Sequence, residues 1–210
     1  MKSKAGKVTI LLFIAVFLPQ YHAQTVTIGN QVWMTKNLDV STFSNGDPIQ
    51  EAKTVKAWKA AAKNMQPAWC YYENDPANGI KYGKLYNFYA VYDPRGLAPA
   101  GYHIPGEEEW RILTEYLGGE AKAGAKMKSK LGWLREDNST NSSGFSGLPG
   151  GSRNYDDCTF NNIGSRGYWW TTTESEEPTA WVRSLIESVE SLGLETAHHM
   201  EGLSVRCLRD

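Results

Sequence analysis

The sequence predicts an α+β fold with strands at both ends and a helix between them, and three stretches carry that prediction. "TVTIGNQVWMTKNLDVSTF" (25–43) alternates apolar and polar residues, with Val26, Ile28, Val32, Met34, Leu38 and Val40 on the apolar positions. "GYHIPGEEEWRILTEYLGG" (101–119) passes from a short strand to a helix. "GLSVRCLRD" (202–210) alternates Leu203, Val205 and Cys207 against Ser204, Arg206 and Leu208, and reads as a closing strand.

Taken in order, the chain opens "MKSKAGKVTILLFIAVFLPQYHAQ". Three lysines (Lys2, Lys4, Lys7) precede an apolar run from Val8 to Leu18, and the small residue Ala23 follows. This is the pattern of a secretory signal peptide over 1–23, cleaved after Ala23. The run is too short to span a bilayer as a helix, which takes roughly 20 residues. The remaining chain, 24–210, is expected to form one domain, secreted or periplasmic and surface-associated, with no transmembrane segment once the signal is cleaved.

Gly29-Asn30 divides the first alternating stretch as a hairpin turn does, and "SNGDPI" (44–49) is a further turn. "EAKTVKAWKAAAKNM" (51–65) places Val55, Trp58, Ala62 and Met65 at helical spacing and ends before Pro67. "PAWCYYENDPANGIKYGKLYNFYAVYD" (67–93) reads as strand, broken at "NDPANG"; within it "KLYNFYAVYD" fits helix and strand periods equally. At 107–117 the helix is unambiguous. Glu107, Glu108 and Glu109 suit the positive end of its dipole, Trp110, Leu113 and Leu117 form its apolar face, and Gly118-Gly119 ends it. Beyond residue 120 no long helical period appears, and "EPTAWVRSLIESVESLG" is expected to form strands, with "ESVESLG" near their turn.

Composition narrows the function classes. Removing residues 1–23 takes three of the 22 basic residues and none of the 23 acids, leaving a net charge of −4. That is no electrostatic footprint for nucleic acid, and none is expected as a partner. Three cysteines, Cys70, Cys158 and Cys207, allow at most one intramolecular disulfide. Spacing does not choose the pair; Cys158 with Cys207 is preferred because both lie where paired strands are expected.

Motifs for chemistry are scarce. "NSSGFSGLPGGSR" (141–153) has neither the lysine-hydroxyl ending of a phosphate loop nor the dinucleotide glycine spacing. It reads as an ordered turn with Phe145 and Leu148 tucked into the core. No HExxH or CxxC is present, and His198-His199 in a strand would point to opposite faces. Calcium has oxygen donors at "NDPAN" (74–78), "NYDD" (154–157) and "ESEEP" (174–178) but no supporting motif, so no cofactor is expected. His103 with nearby carboxylates is the one candidate for an exported hydrolase, and no nucleophile elbow accompanies it.

The order of "TIGNQVWMTKNLDVSTFSNGDPI", "WCYYENDP", "YGKLYNFYAV", "RGLAPAGYHIPGEEEW", "GFSGLPGGSR", "GYWWTTTE" and "GLSVRCLRD" resembles the Fibrobacter succinogenes major paralogous domain family over residues 26–209. The ending and the "PAGYHIPGEEEW" helix entry look like the wider C-type lectin-like fold, in the branch shared with formylglycine-generating enzymes. The resemblance implies an irregular antiparallel sheet, two helices and a long glycine-rich loop region. The family usually has Thr or Ser where this chain has Gly106, which implies a weaker helix cap. The paired cysteines of the formylglycine-generating enzymes and the Glu-Pro-Asn signature of calcium-dependent lectins are both absent.

These readings favour a non-catalytic binding or adhesion module whose partner is a glycan or a cell-surface protein. The expected contact residues are Trp69, Tyr71, Tyr72, Tyr155, Tyr168 and Trp170, because aromatic rings stack on sugars and anchor interfaces. Alternation puts one of Trp169 and Trp170 inward and the other outward. The alternatives are the hydrolase around His103 and a structural cell-envelope component.

Overall fold

The structure, a computed structural model, describes residues 23–135 and 139–210. The expected signal peptide therefore lies outside the described residues except for Ala23. The first hairpin forms as the alternation predicts, from β1 (Thr25–Ile28) and β2 (Gln31–Met34), turning at Gly29-Asn30. A short β3 (Gln50–Glu51) leads to α1 (Val55–Lys63), where the Thr54 hydroxyl accepts from the Ala57 amide and Trp58, Ala61 and Ala62 face inward.

The aromatic stretch after Pro67 is less strand-like than its composition. β4 (Ala68–Cys70) is followed by α2 (Pro76–Tyr82), because Asp75 accepts from the Ala77 amide and Pro76 occupies the first helical position. Both periods of "KLYNFYAVYD" are used: β5 (Leu85–Tyr86) runs into α3 (Phe88–Val91), with the Asn87 side chain capping the helix.

β6 (Tyr102–His103) precedes α4 (Glu107–Tyr116). Gly106 has no hydroxyl to cap this helix, and Thr173 supplies one from across the fold, accepting from the Glu107 amide at 3.0 Å. Gly118-Gly119 does end α4, but α5 (Glu120–Met127) begins at once. Its alanines and lysines offer no large apolar face until Met127, which hides it from a periodicity reading.

The second half contains the hairpin β7 (Gly150–Arg153) with β8 (Phe160–Ile163), then β9 (Arg166–Glu174), β10 (Thr179–Ile186), β11 (Leu192–His198) and β12 (Leu208–Arg209). Residues 187–191 turn between β10 and β11 as expected. The fold is α+β, with five α-helices among the described residues and small sheets ordered β1-β2-β12-β6, β11-β10-β9, β3-β4-β5 and β7-β8. All pairs are antiparallel except β3 with β4. No described helix is long and apolar enough to cross a membrane.

Three expectations about burial are corrected. Residues 202–208 do not alternate in exposure; all are buried, because the segment bridges Arg153 and Tyr86 and runs alongside β9. Trp169 and Trp170 both point into cores, one on each face of β9, so neither faces outward. In the glycine stretch Phe145 is buried as expected, whereas Leu148 is only half-buried. Gly147 explains the absence of a side chain there: a Cβ would lie 2.6 Å from Leu185 Cδ1.

The disulfide also requires correction. All three cysteines are free and buried, with Cys158 in the cluster around Trp58 and Cys70, and Cys207 in the separate cluster around Trp170. Burial pushes the Cys70 thiol up to about 11 and the Cys207 thiol up to about 12, so both stay protonated near neutrality.

Arg206 lies at the meeting point of ribbon, glycine turn and closing segment. It is 0% exposed. It donates to the Met34 carbonyl at 2.9 Å, the Phe145 carbonyl at 2.6 Å and Asn37 Oδ1 at 2.7 and 3.1 Å. Asn37 Oδ1 also accepts from Trp169 Nε1, while Asn37 Nδ2 donates to the Tyr82 carbonyl and Ser204 Oγ. Substituting Asn37→Ala leaves the guanidinium, the Trp169 indole and a buried carbonyl short of partners. The expected loss is about 3–5 kcal/mol in urea unfolding, against less than 0.5 kcal/mol for an exposed change such as Lys56→Ala.

Candidate functional site

A polar hollow of about 340 Å³ opens where the β7-β8 hairpin meets the outer end of the β9-β10-β11 sheet. Three hairpin residues, Ser152, Asn161 and Asn162, face it, together with Asn154 just after β7. From the sheet come Tyr168, Glu195 and Thr196, with Val182 and Ala197 as its apolar floor, and Glu201 closes it from the turn after β11. The strand geometry explains the grouping: Val182 pairs with Glu195 across β10-β11, so a carboxylate and an apolar side chain sit side by side.

The polar atoms divide into those already engaged and those left facing the hollow. Glu195 Oε1 accepts from Ser184 Oγ. Asn154 Oδ1 caps its own turn by accepting from the Asp156 amide, and Asn161 Nδ2 and Asn162 Nδ2 donate to Thr159 and Tyr168. The Tyr168 hydroxyl also accepts from Arg166. Burial, reinforced by the charge of Glu195, pushes the Glu201 carboxyl up to about 7. Tyr155, next to Asn154 in the chain, is 43% exposed and stacks on His198 with centroids 4.8 Å apart at 11°. His198 Nδ1 accepts from the Met200 amide, and desolvation, then His199, holds its pKa below the ordinary value.

Of the six expected contact residues, only Tyr168 lines the hollow; Tyr155 is exposed beside it in the chain but is committed to its stack on His198. Trp170 is 0% exposed, donates to the Tyr86 carbonyl and packs on Phe88, so it cannot touch a surface ligand. Tyr72 is buried against Phe160. Trp69 is also buried, and it forms with the half-buried Tyr71 a cage for Lys84, whose ammonium lies 4.3 and 4.9 Å from the two ring centroids and pairs with Asp39 at 2.6 Å. These aromatics hold the fold's own cation. The lining residues that sequence reasoning missed are mainly Asn, Ser and Glu, whose polarity reads as ordinary surface; "NYDD" was the one signal near them.

His103 lies at a second, more apolar hollow of about 310 Å³, beside Val91, Leu97, Pro99 and Ile104. Its Nδ1 meets Asp210 at 2.7 Å and its Nε2 meets Glu109 at 2.6 Å. Glu109 also accepts from the Gly106 amide at 2.8 Å. Both imidazole nitrogens are thus held by carboxylates, and no free nitrogen remains to take a proton from a substrate. Among the described residues, no three His, Cys, Asp or Glu side chains gather as a metal-holding group.

Two titrations follow. Desolvation lowers the pKa of His103, but the bonds to Asp210 and Glu109 outweigh it and the net shift is upward. Its contribution to stability is complete below about pH 6.5 and is lost as pH rises through the elevated folded value. A melting-temperature profile from pH 5 to 9 is expected to flatten in that window for His103→Gln. Glu201 binds its proton more tightly folded than unfolded, so it lowers stability progressively between about pH 4.5 and 7. Glu201→Gln is expected to stabilise the protein at pH 8 by roughly 1–3 kcal/mol and to be neutral at pH 4.

A family model described as the Fibrobacter succinogenes major domain matches residues 26–209. No curated protein and no solved structure matches the chain. The family match takes in every strand and helix described above, and the chain belongs to the Fibrobacter succinogenes major domain family.

Proposed function

We propose that this chain is an exported, non-catalytic binding module that recognises a glycan through the polar hollow between β7-β8 and β9-β11. The carrying observation is the lining itself: amides, hydroxyls and carboxylates converge around a small apolar floor, with the half-buried Tyr168 ring among them. Sugars present the complementary surface, a ring edge dense in hydroxyl groups and a face of C–H bonds that packs on an aromatic. The hollow lies just after the glycine-rich turn at 144–151, where the β7-β8 hairpin begins. That position, with the small sheets and short helices, accords with a C-type lectin-like build in which the long-loop face carries the ligand. The doubly clamped His103 favours binding over hydrolysis.

Glycan-array screening followed by calorimetry tests this. Tyr168→Ala and Asn161→Ala are each expected to weaken binding roughly tenfold, about 1.4 kcal/mol, with unchanged circular dichroism. Failure to bind plant, bacterial and host glycans alike would overturn the reading, as would binding indifferent to both substitutions.

A further inference from the structure

The atoms facing the hollow are mostly acceptors. Among the described residues, nothing donates to either Glu201 oxygen, to Glu195 Oε2, or to the side-chain carbonyls of Asn161 and Asn162. The donors left facing it are the Asn154 amide and the hydroxyls of Ser152, Thr196 and Tyr168, none of which carries a charge. Both charged residues of the lining are glutamates, and the nearby Arg166 guanidinium is directed to the Tyr168 hydroxyl at 3.3 Å. An acceptor-rich hollow with two glutamates, one of them kept from ionising by its burial, lacks a donor-rich cation.

We propose that the glycan bound here carries a free amino group, a hexosamine unit whose ammonium sits between Glu195 and Glu201 while its hydroxyls donate to Asn161 and Asn162. This rests on the glycan reading and narrows it to a ligand class. An ammonium presents three donors and one positive charge, which meets Glu195 and Glu201 at once and favours the ionised form of Glu201 that burial otherwise resists. A hollow of about 340 Å³ is at the small end of ligand pockets and suits a single sugar ring. A divalent cation is a poorer complement, since calcium takes six to eight oxygen ligands and is favoured by several carboxylates. Here there are two, and Glu195 is already tied to Ser184. The titrating and charged groups facing Glu201 are Glu195 and Tyr168, with Arg166 behind the latter; none of these supplies the missing cation within the hollow.

Calorimetry at pH 6.5 with a glucosamine tetramer, its fully N-acetylated counterpart and a glucose tetramer tests the assignment. The amine is expected to bind at least tenfold tighter than the other two. Glu201→Gln and Glu195→Gln should reduce that preference to under threefold, whereas Glu176→Gln, an exposed change away from the lining, should not. Equal binding of the three sugars, each weakened by Tyr168→Ala, would overturn the amine while leaving the glycan site in place. Calcium binding that competes with the amine and is lost in Glu201→Gln would also overturn it. Absence of binding by all three sugars, together with an empty glycan array, would remove both proposals.

Discussion

The structure depends on a positive charge buried without a carboxylate. Taking a guanidinium out of water is costly, and an opposing acid usually offsets part of that cost. Arg206 has none. Carbonyl oxygens from Met34 and Phe145 and the Asn37 side chain surround it, with the faces of Phe145 and Trp169 at 4.4 and 5.9 Å. Burial pulls its pKa from the ordinary value down to about 9, so it remains charged at neutrality. Those oxygens come from two distant parts of the fold, the segment 34–37 and the glycine turn, while Arg206 itself stands in the closing segment. The ribbon after β2, the glycine turn and the closing segment are therefore fixed relative to one another by a group that tolerates no vacancy in its shell. The stretch "GFSGLPGG" matters less for anything it binds than for offering its Phe145 carbonyl to this charge.

Two other buried arginines solve the same problem differently. Arg183 points from β10 to Glu107 and Glu120, joining the sheet to the starts of α4 and α5. Arg153 at the end of β7 donates to the carbonyls of Ala52 and Cys158 and lies over Trp58. Two of the strands that line the hollow, β7 and β10, are thus pinned on their buried faces by fixed cations. That arrangement leaves the opposite side chains free to be polar and pre-positioned.

Much of this was legible in the sequence, unevenly. The hairpin at 25–34, helix 107–116 and the turn between β10 and β11 follow directly from period and punctuation. α2 and α5 were not visible, since Asp75-Pro76 and Gly118-Gly119 look the same whether they end an element or separate two. The burial of 202–208 escaped an alternation reading because that segment is covered on both sides, a tertiary fact with no local signature. The same limit applied to the site. Tyr155 and Tyr168 were picked by residue type, but Trp69, Tyr72 and Trp170 share that type and lie in the core. Glu195 and Glu201 become distinctive only when the β7-β8 hairpin, distant in sequence, is brought over them.

The amino end of α4 has a consequence of its own. Thr173 caps it and Arg183 neutralises Glu107, so a segment with every local sign of an independent helix takes its first turn from strands more than sixty residues downstream. Glu109, likewise, is committed to His103 and the Gly106 amide. A helix supported in this way is completed only when the sheet is in place: its first turn and the β9-β10 edge share the same contacts. Local propensity writes the helix, but long-range closure supplies its start.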